Sequence, residues 1–405
     1  MKKIIVVLIF IFSAITSMAQ TASVSQYLYK FSPLGEIIVR NLGMEDKNGN
    51  GVIDIAAGAG ANEGYEGFIE KYGNADIGFT INGITQGANN GILEENEIVN
   101  YYYLNIRFKY PEETAIIDKE IKAYVYANNL PLVWLDDEKG TVMEAVTKVL
   151  GEGWNEKQVT EDEAVNMHNK ALKGMKIYGR PGLPSKNGGY YTLPEFVLKK
   201  SGYCFEAAQF GFWFFSMLKI NSNIVCADLT ENILHDVIKL TNTGKIIDFF
   251  NGIAGYKVPA NRWIIRNPIQ SLGYYIGTLG IQQKNTNQEN NTSSLEQAVI
   301  YNKYNIADNA ILISGLTKKE KYQDVIVLGE FIIKNINIAD IMKTNQLGQI
   351  QIKHNLQAIL LFLIKSYSLT KNPKEFSKIE AILKQYYGKD DYVNLYIDTY
   401  KNMLE

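Results

Sequence analysis

The arrangement of apolar and polar positions divides the chain into blocks before any single residue is weighed. Behind Lys2 and Lys3 an apolar run, Ile4 to Phe12, leads to Ser17-Met18-Ala19, small residues where a signal peptidase reads. The pattern predicts a secretory signal over residues 1–19, export to the periplasm or beyond, and a mature chain starting at Gln20. The run is shorter than the roughly 20 residues a membrane span needs, and no cysteine follows it to accept a lipid. Residues 43–100 are rich in Gly, Asn and acidic side chains, a loop composition. Pro111 to Ala127 and Met143 to Lys173 read as helices, with the apolar run Leu130 to Leu135 between them and its Trp134 read as core. A Gly- and Pro-rich loop, Gly179 to Gly189, opens onto a block where helical and strand-like runs alternate.

Gln282 to Ser294 contains no apolar residue and predicts a linker. Beyond it Phe376, Ile379, Leu383 and Tyr386 recur at helical spacing behind Pro373, a helix start, and Leu356 to Leu369 is heavily apolar. The run Ala358 to Ile364 suits a buried helix better than a membrane element. Residues 295–405 are therefore expected to form an all-helical domain of five or six short helices. Stacked hairpins there would resemble tetratricopeptide-type repeats, although no 34-residue period is present.

Composition adds exclusions. The chain is 46% apolar and 21% charged, as globular proteins are, and its net charge of −2 is spread rather than blocked. No basic patch exists to neutralise phosphates, which argues against nucleic acid and against an anionic membrane surface as partners. Cys204 and Cys226 are the only cysteines. A disulfide framework is ruled out and a single bridge stays open.

Asp46, Asn48, Asn50 and Asp54 set oxygen donors at positions 1, 3, 5 and 9 of a loop with Gly51 at position 6 and Ile53 at position 8. Alternating oxygens let one tight loop wrap a hard cation, and the spacing resembles an EF-hand or dockerin calcium loop. Position 12, where a bidentate acid belongs, is Ala57. Either Ala56 to Asn62 lengthens the loop so that Glu63 or Glu66 closes it, or the site is weak. Gln86 to Glu97 repeats the pattern with Asn90, Gly91, Leu93, Glu94 and Glu97 but lacks acids at positions 1 and 3. Together the stretches resemble a degenerate EF-hand pair holding Ca²⁺ weakly. The other reading, an Asn/Gly turn region that binds no ion, stays open.

Gly202-Tyr203-Cys204 precedes a helix whose Phe205, Ala207, Ala208, Phe210, Phe212, Trp213 and Phe214 leave no wide polar face, so it is expected to be buried on nearly all sides. A thiol at its start faces unpaired N–H groups and the positive end of the helix dipole, where a nucleophile is favoured. Such a thiol needs an imidazole and a group to orient it. Of three histidines, His168 lies in a polar helical stretch and His354 in the C-terminal block, while His235 opens a strand-like run ending at Leu240. If a hairpin pairs Leu240 with Lys245, Asp248 faces Val237 and becomes a same-face neighbour of His235, roughly 5–8 Å away between Cα atoms. Asp236 points to the other face.

This order of Cys, helix, strand, His-bearing strand, Gly turn and Asp-bearing strand, over residues 190–252 with the leader TLPEFVLKKSGYC, resembles the core of the transglutaminase-like superfamily. The resemblance implies a papain-like fold with Cys204 as nucleophile, His235 as base and Asp248 as orienting acid. Two departures stand out: the Gly244-to-Asp248 interval is two residues shorter than usual, and Phe249 replaces the usual Pro. The expected fold class is α+β: a signal peptide 1–19, an EF-hand-like segment 20–110, a transglutaminase-like core 111–281, a linker 282–294 and a helical domain 295–405. The function implied is a secreted thiol enzyme acting on peptide or protein amide bonds, a peptidase before a crosslinker. A non-catalytic binding protein, docking a protein partner through the C-terminal helices, is the alternative.

Overall fold

The computed structural model describes residues 25–404, except 57, 82–83, 108, 129, 131–139, 180–190, 192, 231–232, 249–262, 267–268, 271, 274–275, 277–289 and 344–346. The expected signal peptide, Trp134 and most of the expected linker lie outside the described residues. The chain is a mixed α+β protein in which helix predominates. Among the described residues no helix is long and apolar enough to cross a membrane.

The N-terminal part begins with helices α1 (Ser25–Leu28) and α2 (Pro33–Asn41). Ser32 caps α2 by accepting the Gly35 N–H at 3.0 Å, and Pro33 supplies a first residue whose φ already suits the helix. Strand β1 (Val52–Asp54), helices α3 (Ala59–Asn62) and α4 (Tyr65–Tyr72), the hairpin β2 (Phe79–Ile81) and β3 (Ile84–Gln86), strand β4 (Ile92–Glu94) and helix α5 (Glu95–Tyr101) follow. A π-helical turn, Tyr102–Ile106, ends α5. Antiparallel β1 and β4 pair Ile53 with Leu93, and both side chains are fully buried.

Helices α6 (Pro111–Ala127), α7 (Thr141–Leu150) and α8 (Glu161–Met175) come next, and α6 has the bounds expected from its sequence. Strand β5 (Tyr178–Gly179) pairs in parallel with β6 (Ser201–Gly202), which lies between α9 (Leu193–Lys199) and α10 (Cys204–Met217). The chain then returns as β7 (Ser222–Thr230), β8 (Ile233–Leu240) and β9 (Ile246–Ile247), with β10 (Trp263–Arg266) on the far edge, giving an antiparallel sheet ordered β10-β7-β8-β9. Helix α10 packs against β7 and β8. Its Ala207, Ala208, Phe210, Phe212, Trp213, Phe214 and Phe215 are all buried, as the absence of a polar face requires.

The C-terminal part is helical: α11 (Asn290–Tyr301), α12 (Ile306–Lys318), α13 (Tyr322–Asn335), α14 (Ile338–Lys343), α15 (Leu347–Leu369), α16 (Pro373–Tyr387) and α17 (Asp391–Asn402). Among the described residues seven helices stand where five or six are expected, and α15 is 23 residues long rather than short. Helix α11 also starts inside the expected linker. Its Asn- and Ser-rich first turn is polar, but Leu295, Ala298 and Val299 bury a face that holds the whole segment helical. Helix α15 is the axis of this part, with Leu356, Ile359, Leu360, Leu363, Ile364 and Tyr367 buried.

Two apolar cores result. One runs from the N-terminal loops through α10 and the sheet to Tyr301, and the other joins α12 to α17. Leu28 and Phe79 belong to the second core, so the N-terminal part is anchored in it at two points. Each fully buried large side chain contributes about 1.5–3 kcal/mol through removal of apolar surface from water.

Candidate functional site

Cys204 occupies the first helical position of α10, behind Tyr203 in extended conformation (φ −93°, ψ 176°). Its side chain is half-buried and a free thiol. The first-turn N–H groups of a helix have no partner within it, and the dipole is positive there. Glu206, only 1% exposed, folds back over this turn. Its Oε2 accepts the Tyr203 N–H at 2.8 Å and its Oε1 accepts the Tyr191 N–H at 2.8 Å. Burial pushes the Glu206 carboxyl up, backbone N–H groups oppose this, and the charge of Asp236 pushes it further up. Gly202 leaves no room for a side chain here, because a Cβ would lie 2.6 Å from the Phe196 ring.

The hairpin has the expected register. Ile238 pairs with Ile247, Lys239 pairs with Ile246, and Leu240 N–H donates to the Lys245 carbonyl at 2.9 Å. Asp248 follows directly on β9 and is exposed; the same register carried on by one residue would set it opposite Val237. Strand β8 begins at Ile233, two residues before His235, and pairs His235 with Ala227 and Asp236 with Cys226. The side chains of His235 and Cys226 lie outside the described residues. Strand β7 follows α10 after the short connection 218–221, and both β7 and β8 pack against the helix. Alternation divides the sheet. Buried Asp236 shares its parity with Ile224, Ile238, Leu240 and Ile247, which belong to the core that contains α10. Positions 235, 237 and 248 have the other parity.

The other two histidines are placed as follows. His168 is not in a polar setting: it is fully buried on α8, with ring centroids of Phe210, Phe214 and Phe215 at 5.6, 5.2 and 5.3 Å. Burial pushes its imidazole down to about 3, so it is neutral at physiological pH. His354 is exposed on α15, on the rim of a cleft of about 340 Å³ between α15 and α17 that also involves Gln357, Phe362, Asp390, Tyr392 and Tyr396.

The four oxygen-bearing loop residues are brought together. Asp46 Oδ1 accepts the N–H groups of Gly49 (2.8 Å) and Asn50 (3.1 Å), and its Oδ2 accepts that of Gly51 (2.7 Å). Asn48 donates to Asp54 at 2.8 Å. Gly51 adopts φ +83°, and a Cβ there would lie 2.6 Å from the Tyr29 backbone, so only glycine fits. The lengthened segment ends in Glu63, whose buried carboxylate accepts the Asp54 N–H at 2.7 Å. In the second loop Glu97 does the same for Glu94 (3.1 Å) and also accepts the Gly78 N–H at 2.7 Å. Beside the second stretch, Asp76 accepts the Asn89 N–H at 2.5 Å, a contact similar to that of Asp46 with the Gly49 N–H. The β2–β3 hairpin is inserted between Asp76 and the rest of its loop. A contiguous motif therefore misses Asp76, and the turn residue Asn74, which accepts the Asp76 N–H, was its only local signal. Burial pushes the Glu97 carboxyl up to about 7, with Glu94 and Asp76 adding to the rise. Among the described residues no three His, Cys, Asp or Glu side chains gather at metal-binding spacing. The first loop is instead a mixed set of carboxylate and amide oxygens, suited in chemistry to a hard cation.

Compared with protein-family models, curated proteins and solved structures, the chain matches none of them.

Proposed function

We propose that the chain is an exported thiol enzyme with a papain-like, transglutaminase-like core, acting on amide bonds of peptides or proteins, and a peptidase before a crosslinker. What supports the reading is Cys204 at the start of a helix buried on nearly all sides, followed in the chain by the β7–β8 pair that carries position 235 and by the β8–β9 hairpin in the expected register. In this reading His235 takes the thiol proton and the sulfur attacks the amide carbonyl carbon. The C–N bond breaks, His235 returns the proton to the leaving amine, and a thioester remains for water or a second amine to resolve. Asp248 holds the imidazole orientation. Asp46, Asn48, Asn50 and Asp54, with Glu63, would hold Ca²⁺ as a structural ion and take no part in the chemistry.

Rates of iodoacetamide labelling at Cys204 and Cys226, followed by peptide mass spectrometry, test the reading. Cys204 should label faster than Cys226 at neutral pH, and His235→Ala should slow it. Equal rates at the two thiols, or indifference to His235→Ala, would count against a catalytic pair. A second reading, a non-catalytic binding protein, is favoured by the aromatic cleft between α15 and α17. It predicts a slow Cys204 and a partner whose binding is lost in Tyr396→Ala.

A further inference from the structure

Glu206 sits two residues after the candidate nucleophile, and a cap alone does not account for its contacts. A helix-capping glutamate reaches the N–H of its own N-cap residue, which Glu206 does at Tyr203. Its second oxygen is committed to Tyr191, fifteen residues upstream, on the segment that leads into α9. With both contacts at 2.8 Å and the side chain 1% exposed, one carboxylate joins two separate stretches of backbone at the mouth of α10. The same mouth is tied from outside by β5 pairing with β6, Gly179 opposite Gly202. The close approach of Gly202 to Phe196 and to the Glu206 Cβ leaves the turn no slack.

We propose that Glu206 is a positioning residue: it locks the Tyr191 segment and the first turn of α10 into one unit, so that the backbone N–H groups of that turn are aimed at the oxygen of a carbonyl held at the Cys204 sulfur. This rests on the reading of Cys204 as a nucleophile. A carboxylate is the residue type the place requires, because it offers two acceptor oxygens to two donors. Glutamine offers one acceptor, and its amide N–H₂ would confront the second backbone N–H, so one of the two contacts is lost without a change of size.

The test separates oxyanion placement from thiol reactivity. With p-nitrophenyl acetate the Cys204 thiolate attacks the ester carbonyl, the C–O bond breaks, p-nitrophenolate leaves and an acetyl thioester forms, a route through a tetrahedral oxyanion. Alkylation by iodoacetamide displaces iodide at an sp³ carbon and needs no oxyanion donor. The ratio of acetylation to alkylation at Cys204, divided by the same ratio for glutathione, reports the donors alone. In the wild type that quotient should exceed one clearly. In Glu206→Gln it should fall by about tenfold or more, with alkylation changing less than twofold. A uniform loss of both reactions would make Glu206 merely structural and overturn the proposal, as would an unchanged quotient. A wild-type quotient near one removes the enzyme reading and this proposal with it, whereas a raised quotient that Glu206→Gln leaves intact removes only the proposal. If Glu206→Gln does not reach a folded state, Glu206→Asp, which keeps the charge but loses the reach, carries the same comparison. Failure of both to fold would make Glu206 a requirement of the fold alone and also overturn it.

Discussion

His168 shows how one side chain can be misjudged from its neighbours in sequence. Polar residues flank it on α8, yet the helix turns it onto Phe210, Phe214 and Phe215, and burial holds its imidazole down to about 3. The unfolded chain takes up this proton near the ordinary 6.5. Below pH 6.5 the unfolded state is therefore favoured first, and stability is lost as pH falls from 6.5 towards 3. We expect His168→Leu to remove that part of the acid sensitivity. Urea midpoints at pH 7 and pH 4 should draw apart in the wild type and stay closer in the variant, and parallel falls in both would refute the assignment. At Cys204 the outcome was different: a chain of apolar residues with no polar face could form only a buried helix, so its thiol was placed at a helix start from sequence alone.

At the scale of elements, the paired loops carry the clearest expectation. In the folded chain Glu97 holds its proton up to about 7 because it is buried near Glu94 and Asp76, while in the unfolded chain it loses it near 4.5. Without divalent cations, the part of stability that Glu97 contributes should therefore fall as pH rises from about 4.5 to 7, opposite in sign to the His168 part, and Glu97→Gln should remove it. A cation that binds these loops reverses the cost of ionisation. Millimolar calcium at pH 7.5 should raise the melting temperature of the wild type, magnesium less, and Asp46→Ala should cancel the gain, with affinity in the weak range of about 10⁻⁴ to 10⁻³ M. A melting temperature indifferent to calcium would leave the loops as turns. The first loop was readable because its oxygen-bearing residues alternate within one short uninterrupted stretch. Of the two acids expected to follow it, Glu63 is the one whose carboxylate accepts the Asp54 N–H, and its carbonyl accepts the Glu45 N–H. The contact of Asp76 with Asn89 was not readable, since the β2–β3 hairpin separates the two in sequence and only folding brings them together.

The whole molecule is held together by contacts that span the length of the chain. Lys303, between α11 and α12, is 6% exposed; its Nζ lies 3.8 Å from Glu95 Oε2 and donates to the Lys30 carbonyl at 3.1 Å. Glu95 in turn accepts from the Ser32 N–H at 2.9 Å and from the Ser32 hydroxyl. Phe79, on the inserted hairpin, meets Tyr304 at 6.0 Å between ring centroids. Burial pushes the Lys303 ammonium down, and Glu95 opposes this. Removing one member of a buried pair strands the other, so Lys303→Ala should cost about 3–5 kcal/mol. Adding Glu95→Gln should recover much of it. Denaturation of the two single variants and the double variant decides the matter, and additive losses would show that the two residues act independently.

The sequence alone determined what depends on neighbours within a turn or two: the bounds of α6, the start of α16 at Pro373, the buried character of α10 and the Leu240–Lys245 hairpin register. These follow from local periodicity, capping and turn chemistry, which act over a few residues. Tertiary structure alone decided the clamp from Glu206 to Tyr191, the recruitment of Asp76, the neutral burial of His168 and the joining of Lys303 to Glu95. Each of these joins groups, from thirteen to over two hundred residues apart, or turns a locally polar helix into a core, and such pairings arise only when separate elements dock and desolvate the groups between them.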